Sequence, residues 1–137
     1  MAVHGGWRGL AAGILRAALS HALKSGCKSP NELAIILGPA IGALRYEVGP
    51  EVVRAFSNSG LALTEEQLPY AISKGVADRW HLDLATAACL SLCNLGFRPE
   101  QIAVFRSCSF EEDHLWYSYR RSGAKPGRIW SWIEIAH

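Results

Sequence analysis

Apolar residues recur at helical spacing from Gly9 to Lys24, at Leu10, Ile14, Ala17, Ala18, Leu19 and Leu23, with Gly26 just beyond as a stop. Alanine and leucine dominate the stretch, and the spacing predicts one helix over residues 9–24. After Pro30 the run Leu33 to Leu37, with adjacent isoleucines and bounded by Gly38-Pro39, reads as a buried strand. Pro50 suits a first helical position; Val52, Val53 and Phe56 then form one apolar face, and Asn58-Ser59-Gly60 closes a second, shorter helix. Residues 61–80 have weak periodicity and mixed polarity, which predicts a loop with a helical turn. Asp83 can cap a third helix through Leu84, Ala87, Ala88, Leu90, Leu92 and Leu95, ending at Gly96. Gln101 to Arg106 looks like a strand. Leu115 to Tyr119 and Arg128 to Ile135 look like the two arms of a hairpin.

Helices and strands therefore mix within one unit, an α/β (α+β mixed) domain over residues 1–137. In the last predicted strand both sides are apolar: Ile129, Ile133 and Ile135 on one, Trp130 and Trp132 on the other. Both sides of that sheet would need cover, so a partner chain or a missing N-terminal segment is expected to complete it.

Composition narrows the class. The chain has 137 residues, half of them apolar and 19% charged, with a formal net charge of +2. That balance gives no electrostatic footprint for nucleic acid or a membrane surface, and neither partner is expected. The longest uncharged stretch, Leu84 to Phe97, has 14 residues, short of the roughly 20 that a spanning helix needs. Trp7, Arg8 and Arg16 crowd the short apolar patch at Leu10 to Leu15 and no small-residue cleavage site follows, so it reads as mature protein. Cys27, Cys89, Cys93 and Cys108 have neither the density of a disulfide framework nor the spacing of a zinc ribbon, which points to a reducing, cytoplasmic setting.

Three strings carry candidate chemistry. His4-Gly5-Gly6-Trp7-Arg8-Gly9 runs into the first helix: the glycines allow close backbone approach, the imidazole can ligate a divalent metal, and Arg8 favours an oxyanion or phosphate. The alternative is a flexible turn with an ordinary exposed histidine. Gly38-Pro39-Ala40-Ile41-Gly42 follows a predicted strand, where binding loops are common, and Tyr46 and Glu47 lie just beyond; it could equally be a tight turn. Tyr117-Ser118-Tyr119-Arg120-Arg121, with Lys125 and Arg128 after it, suits a phosphate or carboxylate, or else ends a solvated hairpin. Cys89 with Cys93, Cys108 with His114, His21, His81 and the acidic run Glu111-Glu112-Asp113 are weaker candidates, each with an ordinary structural reading.

Taken in order, HGGWRG before a helix, LGPAIG followed by YEVG, LDL before a helix, a strand ending in SCS, and YSYRR followed by GR resemble the laccase-domain family. That family is also called multicopper polyphenol oxidase or purine nucleoside phosphorylase-like, and it includes the peptidoglycan editing factors. The resemblance runs from Val3 to Ile133. It implies a layered mixed β-sandwich with outer helices, present here as a truncated, C-terminal portion. It also implies zinc, with copper the less secure assignment, and phosphorolysis of adenosine, inosine, guanosine and methylthioadenosine, or deamination of adenosine. His4 becomes a metal ligand, Arg8 a catalytic contact, and Tyr119, Arg120 and Arg121 the wall of a pocket for substrate or phosphate. In the family pattern two further ligands, a histidine and the cysteine of an Asp-Cys pair, lie upstream of the string matched by His4. Alternatives under the same resemblance are a peptidoglycan-editing amidase acting on a nucleotide-linked muramyl precursor and a catalytically inactive fragment. Departures from the pattern are Gly5 where alanine is usual, Ala43-Leu44-Arg45 where proline and small residues are frequent, and Ala88 where asparagine is common.

Overall fold

Gly13 divides the first predicted helix in two. Its backbone is left-handed, at φ 80°, so the helical run stops at α1 (Trp7–Ala11) and restarts as α2 (Ile14–Lys24). A side chain at position 13 would be strained by that φ and would meet Leu61 Cβ at 3.3 Å. The computed structural model describes residues 1–123, 125 and 127–134.

The other two helices form where local signals put them. α3 (Pro50–Ser59) has Pro50 in its first turn and ends on Gly60 at φ 56°. α5 (Leu84–Asn94) is capped by Asp83, whose carboxylate accepts the Thr86 N–H at 2.9 Å, and Gly96, at φ 92°, ends the run.

The predicted loop over 61–80 instead holds a short helix and two strands: α4 (Leu68–Ala71), β3 (Ile72–Lys74) and β4 (Trp80–Leu82). With β2 (Glu47–Val48) they form an antiparallel sheet in the order β2-β4-β3, with β4 in the middle. Val48 opposes Trp80, and Ile72 opposes Leu82. Strands of two or three residues are too short for alternation to show, which is why periodicity reads this segment as loop. A second sheet pairs β1 (Ile35–Leu37) with β5 (Ile102–Val104) in parallel, Ile36 opposite Ala103. The architecture is thus mixed α/β with two sheets and outer helices.

Among the described residues the predicted C-terminal hairpin is not formed. Leu115 and Trp116 turn back onto the Glu112 carbonyl, and Tyr119 begins a short helix, α6 (Tyr119–Ser122). Residues 128–134 run without regular structure, leaving Trp130 84% and Trp132 79% exposed; Ile135 lies outside the described residues. The expected strand with two apolar sides is therefore absent from residues 128–134, and exposed apolar side chains on a sheet are found elsewhere. On β1 and β5 it is Ile36, 72% exposed, and the following Phe105, 54% exposed, that lack cover.

The core lies between α1, α3, α5 and the inner face of the three-stranded sheet. Phe56 and Leu82 are wholly buried at its centre, with Val48, Val52, Leu63 and Ala87 around them. Removing the Phe56 ring would cost about 3–5 kcal/mol. No helix among the described residues is long and apolar enough to cross a membrane.

Candidate functional site

The core brings four separate stretches of chain to one rim. α1 packs on α3, which carries Arg8 to the end of the sheet where β2 leads into α3. The pairing of β2 with β4 sets Arg79, just ahead of β4, beside Glu47. α6 then folds across this edge and delivers Arg120, whose Nη1 donates to the Glu47 carbonyl at 2.6 Å. The result is an open cleft of about 370 Å³ lined by Trp7, Arg8, Glu47, Glu51, Arg79 and Arg120, among others.

Two of the three cations lie against aromatic rings. The Arg8 guanidinium lies 4.4 Å from the centre of the Trp7 ring, and that of Arg120 lies 4.9 Å from the Tyr46 ring. Arg79 Nε stands 3.7 Å from Glu47 Oε1, a loose, half-exposed ion pair. Burial pushes the Tyr46 hydroxyl above the usual tyrosine range, while Arg120 and then Arg8 pull it back. Tyr46 thus keeps its proton at neutral pH beside two permanent positive charges.

The sequence-predicted residues separate here. Arg8 and Arg120 line the cleft; His4, Tyr119 and Arg121 are not among its lining residues. His4 is exposed and its ring folds over Gly6, where an added Cβ would come within 3.1 Å of Nε2. Tyr119 is 72% exposed. Arg121 turns inward, its Nη1 donating to the Ser109 and Phe110 carbonyls at 2.8 and 2.7 Å and its Nη2 to that of Trp116 at 2.7 Å. Its guanidinium is occupied in tying α6 to the loop after β5.

Several of the weaker candidates take structural places. Cys108 Sγ accepts the Gly42 N–H at 3.2 Å, joining the loops after β1 and β5, while His114 sits exposed beside Asp113. His81 Nδ1 donates to the Ala43 carbonyl at 3.1 Å. Glu111 pairs with Arg45 and Glu112 accepts the Cys108 N–H, so two members of the acidic run fasten loops. Burial raises the Cys89 thiol, with nearby Cys93 and Asp83 adding to the shift. Arg79 and Glu51 escape sequence reading altogether, since neither stands in a string with a recognisable pattern.

A catalytic zinc takes three protein ligands and an open position. Among the described residues no three His, Cys, Asp or Glu side chains come together to hold a metal, so His4 by itself does not make such a site.

Residues 1–136 match the family described as multi-copper polyphenol oxidoreductase laccase, and the chain belongs to that family. The purine nucleoside phosphorylase of Bacteroides thetaiotaomicron is 33% identical over 134 residues, covering 98% of this chain and 48% of that protein. Purine nucleoside phosphorylase YfiH of Escherichia coli is 36% identical over 134 residues, covering 98% and 50%. Among solved structures, YlmD from Geobacillus stearothermophilus superposes with a TM-score of 0.78 at 30% identity, over 87% of this chain and 43% of that one. The chain spans about half the length of the curated relatives it matches.

Proposed function

We propose that the chain is part of a purine nucleoside phosphorylase acting on adenosine, inosine, guanosine or methylthioadenosine, and that its cleft receives the phosphate. The observation carrying this reading is the convergence of Arg8 and Arg120, from opposite ends of the chain, on one cleft beside Tyr46. The names of the Bacteroides and Escherichia coli relatives support it.

Guanidinium groups pair bidentately with phosphate, so two held guanidiniums orient the anion as well as attract it. In phosphorolysis a phosphate oxygen bonds to the anomeric carbon of the ribose as the bond from that carbon to the purine nitrogen breaks. The nitrogen keeps the electron pair and takes the proton that hydrogenphosphate gives up. Arg8 and Arg120 would serve by positioning the nucleophile, which is where most of such a rate gain arises.

Zinc is proposed ahead of copper, with His4 as one ligand and further donors from polypeptide outside these 137 residues. A bound zinc supplies a water of lowered pKa, which suits deamination at the purine ring. The same reading calls for cover over β1 and β5, because parallel strands are ordinarily buried on both faces and Ile36 and Phe105 are not. A second chain or a further segment of the same protein would supply it. Four free thiols suit a reducing, cytoplasmic setting.

The test is incubation of the purified protein with zinc, phosphate and adenosine. Adenine released only when phosphate is present is the expected result; neither adenine nor inosine after prolonged incubation would remove catalysis by this chain.

A further inference from the structure

Cys89 and Cys93 are the two cysteines that the fold leaves unused. Cys27 Sγ donates to the Ser29 carbonyl and Cys108 Sγ accepts the Gly42 N–H, whereas neither Cys89 nor Cys93 has a hydrogen-bond partner among the described residues. A cysteine kept for packing is ordinarily buried. Here the buried face of α5 is Leu84, Ala87, Ala88, Ser91 and Leu92; Cys89 is half-buried beside it and Cys93 is exposed.

The two thiols stand one helical turn apart, the spacing at which side chains on a helix meet, with Cβ atoms about 5–6 Å from each other. α5 holds them there, its first turn capped by Asp83 and its inner face packed into the core. Metal–thiolate bonds are about 2.3 Å long, so an ion between two sulfurs spans about 4.6 Å, within reach of this pair. The donor set selects the ion. No third His, Cys, Asp or Glu joins the pair among the described residues, so the tetrahedral set of a structural zinc is not assembled. Two sulfurs without oxygen donors suit a soft d¹⁰ cation that is satisfied by two ligands. Burial raises the Cys89 thiol and the neighbouring Cys93 raises it further, a repulsion between thiolates that a cation between them removes. With a monovalent ion the pair keeps one negative charge, which Arg106, close to Cys89, offsets.

We propose that Cys89 and Cys93 form a two-coordinate site for a soft, thiophilic monovalent cation. Binding breaks two S–H bonds, forms two metal–sulfur bonds and releases both protons to solvent, with no change of oxidation state. α5 contributes no residue to the cleft, so the site is independent of the phosphorolysis reading.

Silver(I) is the probe. The protein is mixed with one equivalent of silver nitrate and alkylated with iodoacetamide, and the modification of each cysteine is followed by mass spectrometry. Cys89 and Cys93 are expected to be protected together, while Cys27 and Cys108 react as they do without silver. Cys93→Ser should return Cys89 to its metal-free rate, Cys89→Ser should do the same for Cys93, and either change should weaken silver binding about a hundredfold as the second attachment is lost. Unchanged rates at Cys27 and Cys108 show that the variants are folded. Wild-type Cys89 and Cys93 alkylated as fast with silver as without it, or either one still protected when its partner is serine, would overturn the site.

Discussion

The Arg120 guanidinium stands over the ring of Tyr46 at 4.9 Å while its Nη1 holds the carbonyl of the next residue, Glu47. One side chain from the end of the chain thereby fixes both the start of β2 and the electrostatics of a half-buried phenol.

The sign of that coupling is open to measurement. Burial raises the Tyr46 pKa and Arg120 lowers it, so Arg120→Ala should drive it higher still. Because the folded value lies above that of the unfolded chain, the native state holds its proton longer, and stability is lost as pH rises from about 10 through the folded value. In Arg120→Ala this window extends to higher pH. Ultraviolet titration of tyrosinate together with thermal unfolding between neutral and alkaline pH checks both; a downward shift on removing Arg120 would contradict the arrangement.

Arg121 supports the fold where Arg120 faces the cleft. Arg121→Ala leaves three carbonyls, of Ser109, Phe110 and Trp116, without their donor and should cost about 2–3 kcal/mol in chemical denaturation. Lysine should restore little of it, since a single ammonium cannot reproduce the planar fork. Phosphate binding should persist in the folded fraction, and its disappearance would bring Arg121 into the site after all.

Gly6 governs where the His4 ring rests. Gly6→Ala places a Cβ within 3.1 Å of Nε2 at an allowed backbone angle, φ −68°, so the ring must shift while the helix stays. The imidazole resonances of His4 should move in NMR spectra with the unfolding free energy changed by less than about 0.5 kcal/mol. Unmoved resonances would show that the ring does not rest on Gly6 in solution.

Arg120 and Arg121 also mark how far sequence reading goes. As adjacent arginines they are equivalent in the string Tyr117 to Arg121, and both suit an anion. Successive residues of a helix point about 100° apart, so once α6 docks against β2 one of them must face the cleft and the other the loop after β5. Only the docking decides which. The same holds for Arg79 and Glu51, which join the cleft through the pairing of β2 with β4 and the seating of α3.

What the sequence determined by itself is what short-range chemistry decides. Asp83 three residues before Thr86, Pro50 at a helix start, and Gly60 and Gly96 at helix ends are contacts or angles within one turn, so α3 and α5 can be read directly. The family was legible too, because its strings preserve the residues and their order. The three-stranded sheet was not, since strands this short have no period and exist only by pairing with distant partners. Tertiary structure decided the cleft for the same reason: its cations and carboxylates are far apart along the chain, and only burial of Phe56 and Leu82 brings the elements that carry them to one rim.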